Sequence, residues 1–590
     1  MKSTPIEFYT NEKETFEASL KKIQRTLRIL SFVRFGVFLT TVFCVYYFLG
    51  AAKTMMLSAF LGAISFVFLL KKYLKYKEIK EELLALVAIN ALEISVIKGV
   101  VSGLATGDEY KDASHQFSYD IDLFGQGSFF QFVNRTATKA GQLKLVHVLT
   151  ENSISEIEQK QESVQELAEK PKWRQRFSAM ASLVVSEIAP KEIVKWIESY
   201  AFVFPSFSKF VPQLFALVSG GLILGVAFLD VSFSFLTVWF FLGLGFSGVY
   251  LKKVTNLYSR AGKVKSTFQQ YYKLLEVLEQ TDFSSKLLKE KHQLIYSDKG
   301  KASVIMKEFF KHLDALDQRN NIIFAVFGNG LLLWDLKQAY RVEQWMKSHG
   351  AEVKQWFEVI SFFDAQSSLA NYVFNHPSYT FPKINSESAI INAKGLGHPL
   401  LSEAKRITSD CRVDAQSFFI VTGANMAGKS TFLRTISLSI VMSNIGLPVC
   451  ATEMKYCPIK LITSIRNSDS LSEDTSYFFS ELKRLKYIVD ALQTDAYFIV
   501  LDEILKGTNS TDKAEGSQKF VEKLVGLNAT GIIATHDLSL CEIEKDYEKI
   551  ENYYFDAEII NDELFFDYKL KQGVCQNMNA SFLLRKMEIV

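Results

Sequence analysis

What the chain lacks narrows its class first. Six cysteines are spread over 590 residues (Cys44, Cys411, Cys450, Cys457, Cys541 and Cys575), and no two form a C-x-x-C pair. That spacing suits neither a zinc site nor a disulfide framework, so the cysteines read as free thiols of a reducing compartment. A surplus of one charge is also missing: 67 Lys and Arg stand against 64 Asp and Glu, a formal net charge of +3. Bulk charge therefore does not announce a nucleic-acid binder. The first 30 residues are polar and charged, which excludes a cleavable signal peptide. Apolar residues are plentiful, at 48% with 49 Phe, in a length that allows several domains.

The apolar excess is localised. Residues 35–52 carry no charge, Lys53 follows, and residues 54–70 are again uncharged. Residues 211–229 and 231–250 form a second such pair around Asp230. Each run is about long enough to cross a hydrocarbon layer of ~30 Å. Lys21, Lys22, Arg25, Arg28 and Arg34 precede the first pair, and Lys71, Lys72, Lys75 and Lys77 follow it. Lys209 precedes the second pair, and Lys252 and Lys253 follow it. Basic flanks place the open ends of both hairpins in the cytoplasm. The expectation is a multi-pass protein of the inner (cytoplasmic) membrane, with its soluble domains in the cytoplasm. Buried core helices are the alternative, and four charge-free runs with basic flanks argue against it. The run 322–334 is too short to span and is expected to be a core helix.

Elsewhere the pattern is helical, in residues 1–30 and 73–105. From Val254 the apolar positions Leu257, Ala261, Val264, Phe268, Tyr271, Leu275 and Leu278 alternate spacings of three and four. That seam predicts a long helix leaving the fourth span and packing on a partner helix or a bundle. Near residue 385 the texture changes, with Pro377, Pro382 and Pro399 and short β-prone runs. An α/β domain is expected from there on.

In that domain a buried strand, residues 417–422, leads into Gly423-Ala424-Asn425-Met426-Ala427-Gly428-Lys429-Ser430 and then a helix. Strand, glycine-rich loop and helix are the context of a phosphate loop. The glycines let successive N–H groups face one anion, and the helix N-terminus adds positive partial charge. Lys429 is placed for the β- and γ-phosphates of ATP, and Ser430 for Mg²⁺. An apolar run then ends in Asp502-Glu503, with Asp502 suited to Mg²⁺ and Glu503 to polarising the attacking water. Another strand ends in His536, within reach of a γ-phosphate. The order resembles that of ABC-type ATPases, which hydrolyse ATP at a dimer interface. The transporter signature L-S-G-G-Q is absent, and residues 469–482 occupy that interval.

Those residues, and several around them, resemble the MutS mismatch-repair ATPases. Thr422 to Thr431 is similar to the family's T-G-P-N-M-G-G-K-S-T, with the Asn425-Met426 pair the specific part. Ser468-Asp469-Ser470-Leu471 and Ser476 to Leu482 resemble S-D-x-L and S-T-F-x-x-E-M. The resemblance assigns Ser476 to the partner subunit's γ-phosphate. Asp502-Glu503 through Gly507-Thr508 to Asp512 resembles D-E-x-x-x-G-T-x-x-x-D, and Ala534-Thr535-His536 the family's A-T-H. Tyr568 to Gly573 resembles Y-K-L-x-x-G, and Gly397-His398-Pro399 the turn entering the ATPase domain. Through that turn His398 joins the nucleotide-binding set with Gly423, Asn425, Met426, Gly428, Lys429, Ser430, Thr431 and Ser476. Upstream the likeness is weaker: Asp122-Leu123-Phe124, Thr138 to Gly141, Leu145, Leu149 and Lys160 to Val164. Gln142-Leu143-Lys144 stands where the family has an Arg. The resemblance spans residues 115–590.

Nothing resembles the family's N-terminal mismatch reader or an appended nuclease. The second hairpin interrupts the lever region, where it is expected to replace the DNA-gripping clamp at the lever tips. A position beside the ATPase domain would contradict this. The expected layout is a helical segment at 1–30, hairpins at 31–72 and 211–251, and a connector at 73–110. An all-α core and lever domain at 111–385 and the α/β ABC-type P-loop ATPase domain at 386–590 complete it. The implied function is a membrane-anchored homodimeric ATPase that couples ATP and Mg²⁺ to binding of mismatched or branched DNA. The alternative is an ATP-switched membrane scaffold, or a transport-related ATPase, without a DNA ligand.

Overall fold

The computed structural model describes residues 4–183, 188–297, 300–385, 389–466, 477–560 and 563–576. Two long helices open the chain, α1 (Pro5–Tyr47) and α2 (Ala52–Ile97). Thr4 caps α1, accepting from Glu7 N while the Glu7 carboxylate accepts from Thr4 N, and Pro5 takes the first turn. The helices lie against each other where Gly62 faces Thr41, a contact with no room for a Cβ. Their outer faces stay apolar and exposed, with Phe32, Phe35, Phe60 and Phe68. Both elements run unbroken past residues 30 and 72, so those divisions fall inside helices.

The middle of the chain is all-α: α3 (Lys139–Thr150), α4 (Val211–Phe228), α5 (Phe233–Glu279), α6 (Ala302–Asp317), α7 (Ile322–Leu332) and α8 (Trp334–Asn375). All eight predicted seam residues of α5, Val254 to Leu278, are buried, against α6 and α8. Phe268 packs edge-on to Phe309 of α6 and at a tilt against Phe357 of α8, so the helix meets a bundle, not one partner. Four helices, α1, α2, α4 and α5, are long and apolar enough to cross a membrane.

One expectation fails here. α7 is not a core helix: Ile322 and Ile323 are 79% and 71% exposed and Phe327 57%. Only its other side packs, against the second hairpin. Gly330 meets Gly243 backbone to backbone, and Ser219 Oγ of α4 donates to Leu331 O at 2.7 Å. A short apolar run reads the same in sequence whether it faces a core or a neighbouring pair of apolar helices.

The second hairpin thus touches the N-terminal end of α8. The chain leaving the other end of α8 bridges Thr380 to Val449 of the α/β domain. Forty-two helical residues, about 63 Å, separate the two ends, so the hairpin is not beside that domain.

The α/β domain holds a six-stranded sheet built from β1 (Phe418–Gly423), β2 (Lys460–Ser464), β3 (Tyr497–Asp502), β4 (Thr530–Ala534), β5 (Ile550–Phe555) and β6 (Leu570–Gln572). Their order is β6-β5-β1-β4-β3-β2, all parallel except β6. Every residue of β1 and β4 is buried, as a parallel sheet covered on both faces requires. Helices α9 (Lys429–Asn444), α10 (Tyr477–Ala491) and α11 (Ser510–Gly526) surround it. Residues 383–384, 389–396, 409–414 and 453–456 form a separate four-stranded sheet.

Candidate functional site at the strand ends

β1, β4 and β3 are adjacent in the sheet, so their C-terminal ends converge. In an open α/β sheet this is where a ligand cleft forms. β1 runs into the glycine loop, and Gly428 directly precedes α9. The loop needs its glycines. A Cβ on Gly423 would lie 2.6 Å from Phe555 O, and Gly428 sits at φ +108°. Met426 is also left-handed, at φ +68°, and is 80% exposed. Asn425 and Thr431 are exposed beside it.

Lys429 folds back over the loop. Its Nζ donates to Gly423 O at 2.7 Å and Ala424 O at 3.0 Å, and lies 3.4 Å from His536 Nε2. Burial holds this ammonium below its ordinary value, while Asp502 and Glu503 pull the other way. His536 is lowered too, by burial and then by Lys429. Ser430 Oγ donates to Asp502 Oδ2 at 2.9 Å, joining the first turn of α9 to the end of β3.

Glu503 follows Asp502 in a left-handed conformation, φ +53°, fixed by its N–H to Ala534 O at 2.8 Å. Its carboxylate accepts from Lys513 Nζ at 3.0 Å, with Lys506 at 3.6 Å. Burial pushes Glu503 up, but the Lys513 hydrogen bond and the charges of Lys513, Lys506 and His536 outweigh it and hold it below its ordinary value.

The fold therefore brings Gly423, Asn425, Met426, Gly428, Lys429, Ser430, Thr431, Asp502, Glu503 and His536 to one edge of the sheet. His398 makes its contacts beside Arg406, whose Nε donates to His398 O at 3.1 Å, and feels Arg434 of α9. Burial, with Arg434 and Arg406 behind it, pushes its imidazole down to about 4. Its Nδ1 accepts from Leu400 N at 3.3 Å. Ser476 and residues 468–471 lie outside the described residues.

Several contacts of the site were not read from the sequence, even where a residue making them, such as Glu481 or Asp122, stood inside a quoted motif. Lys513 and Lys506 pin Glu503. Glu481, the motif carboxylate of α10, accepts from Leu505 N at 2.6 Å and Lys506 N at 3.2 Å, tying α10 to the turn after β3. Asp120 accepts from Thr463 Oγ1 at 2.6 Å and Arg466 N at 3.0 Å. Asp122 pairs with Arg466 and, at 3.5 Å, with Arg434 of α9. Arg484 of α10 donates to Gln116 O at 2.6 Å and Thr463 O at 2.7 Å. The segment around residues 115–122 is thereby laced to the helix that follows the glycine loop. The bonds from Thr463, Arg466 and Arg484 to residues 116–122 span more than 300 residues, so no local pattern marks them.

Strand-end carboxylates, a glycine loop with an inward lysine, and a mostly parallel sheet joined to a long helical bundle define the class: an α/β domain with a glycine-loop site, attached to an all-α bundle. Residues 419–585 match the family model described as MutS domain V. Human "MutS protein homolog 4" is 31% identical over 233 residues, 38% of this chain and 24% of that protein. "DNA mismatch repair protein MutS" of Finegoldia magna is 29% identical over 231 residues, 38% of this chain and 27% of that protein. The protein of that name from Fervidobacterium nodosum is 25% identical over 322 residues, 53% of this chain and 35% of that protein. The chain thus spans about a quarter to a third of the length of these relatives. The similarity to MutS proteins is therefore carried by the C-terminal domain of the chain.

Proposed function

We propose that this chain is a membrane-anchored ATPase whose C-terminal domain binds Mg²⁺-ATP at the glycine loop and hydrolyses it between two copies of the chain. The observation that carries the reading is the Ser430–Asp502 hydrogen bond, with Lys429 and Glu503 on either side of it. Among the described residues no three His, Cys, Asp or Glu side chains gather at one point. One hydroxyl and one carboxylate suit Mg²⁺, which binds few protein ligands and completes its shell with water and phosphate oxygens. Ser430 and Asp502 would hold the ion, which would supply neutralisation of phosphate charge.

The chain's own groups do the rest. Backbone N–H groups of residues 423–430 and the start of α9 bind phosphate. Lys429 exchanges its two loop carbonyls for phosphate oxygens. Glu503, released from Lys513, accepts a hydrogen bond from the attacking water and orients it. His536 faces the γ-phosphate from β4, and Ser476 does so from the partner copy. Closure of the dimer would pull on α10, and through Arg484 and Asp120 on the helical bundle and its two hairpins.

The ligand gripped by the bundle is DNA, mismatched or branched. This rests on the names of the relatives and on the lever geometry. The four exposed apolar helices favour a second reading, in which ATP switches a membrane scaffold with no DNA ligand. Steady-state ATP turnover by the full chain in detergent, with and without matched, mismatched and branched DNA over a salt series, separates the two. Glu503→Gln is expected to abolish turnover and retain ATP binding. Unchanged turnover in that variant refutes the assignment, and turnover indifferent to every DNA at low salt favours the scaffold.

A further inference from the structure

At the foot of the second hairpin lies a cavity of about 570 Å³, away from the strand-end site. Its charged lining is mostly positive. Lys337 and Arg341 project from one face of α8, Lys209 comes from the turn before α4, and His312 from α6. The one acidic group of the lining is Glu308, 3.6 Å from His312. Among the described residues Lys209, Lys337 and Arg341 have no acidic partner. Uncompensated charge shows in the titration of the neighbours: burial and then Arg341 hold both His312 and Lys337 below their ordinary values. Ser208 also lines the cavity. It is 1% exposed, and its Oγ has no hydrogen-bond partner among the described residues. Unpaired cations around a buried, unused hydroxyl suit an oxyanion with several acceptors.

The position selects the source of that anion. Directly after Lys209 comes Phe210, the cap of α4, exposed like Leu214 and Leu217 within that helix, and the apolar outer face of α7 lies on the same hairpin. Fixed positive charge meeting an apolar surface is the arrangement that an anionic leaflet attracts. The volume is in the range of small-ligand sites. We infer that this cavity binds the phosphate of an anionic phospholipid headgroup, seating the second hairpin against the cytoplasmic leaflet. This rests on the reading of α4 and α5 as membrane spans.

The test uses the full chain reconstituted in nanodiscs of phosphatidylcholine, with and without phosphatidylglycerol, alongside the double variant Lys337→Gln, Arg341→Gln. Thermal unfolding and native mass spectrometry of retained lipid are read together. Phosphatidylglycerol is expected to raise the wild-type midpoint by several degrees and to be retained in preference to phosphatidylcholine. The double variant is expected to lose most of both effects. Arg341→Lys should keep part of them, and the exposed control Lys523→Gln all of them. Equal shifts in wild type and double variant overturn the proposal. So does protection of the detergent-solubilised chain by inorganic phosphate or a DNA duplex that phosphatidylglycerol does not exceed. Alkaline extraction of the wild type from membranes checks the premise separately: release into the supernatant sinks the membrane reading itself.

Discussion

Lys513 Nζ lies 3.0 Å from Glu503 Oε1, so the carboxylate proposed to orient the attacking water is held by an ammonium in the first turn of the following helix. The contact keeps the carboxylate ionised and also occupies it. Removing the lysine raises the pKa of Glu503 back toward its ordinary value. The acid limb of the pH–turnover profile of Lys513→Ala is therefore expected to move to higher pH, with basal turnover above pH 7 raised several-fold. A profile superimposable on the wild type would show that Glu503 is not the titrating base.

Glu481 holds the turn after β3 through two N–H groups. That turn is strained, with both Glu503 and Leu505 left-handed. Glu481→Ala leaves buried donors without an acceptor, at a cost of roughly 1–3 kcal/mol. The expected signature is a lower unfolding midpoint together with lost turnover, because the same turn positions Glu503. Glu481→Gln, which keeps one acceptor, should recover most of the stability.

His398 gives the domain a pH dependence of known sign. Its imidazole is pushed down to about 4 in the folded chain and returns to about 6.5 when unfolded. The unfolded chain therefore binds the proton first, and stability is lost as pH falls from about 6.5 toward 4. Unfolding midpoints measured across that window should fall more steeply for the wild type than for His398→Gln.

Gly141 marks where the helical bundle has no slack. Asp364 of α8 accepts from Ala137 N, Thr138 N and Thr138 Oγ1, closing the start of α3. A Cβ on Gly141 would lie 2.0 Å from Asp364 Oδ2. Gly141→Ala should destabilise by roughly 1–3 kcal/mol through overpacking, read by chemical denaturation. Because it also shifts α8, coupling between nucleotide and the second hairpin should weaken more than nucleotide binding does.

The parts that local pattern dictates were legible in the sequence. The glycine loop, the strand-terminal Asp502 and His536, the two hairpins and the α5 seam each rest on residues close together along the chain. Thr138 and Gly141 were visible as a motif, but not the Asp364 that explains both, which lies 226 residues from Thr138. The outward face of α7 was missed for a different reason: a short, mostly apolar run of eleven residues satisfies a core and a neighbouring apolar hairpin equally well. Lys513 was passed over because a lysine early in a helix is ordinarily solvated, and only the approach of Glu503 gives it a task.

The helix α5 has 47 residues, no proline, and no break where its apolar half gives way to the buried seam. The helix runs continuously through that junction. A tilt of about 5° imposed at one end of a rod roughly 70 Å long moves the other end by about 6 Å. Small adjustments in the bundle are thus amplified at the hairpin, and the work against its surroundings is delivered there rather than dissipated along the way.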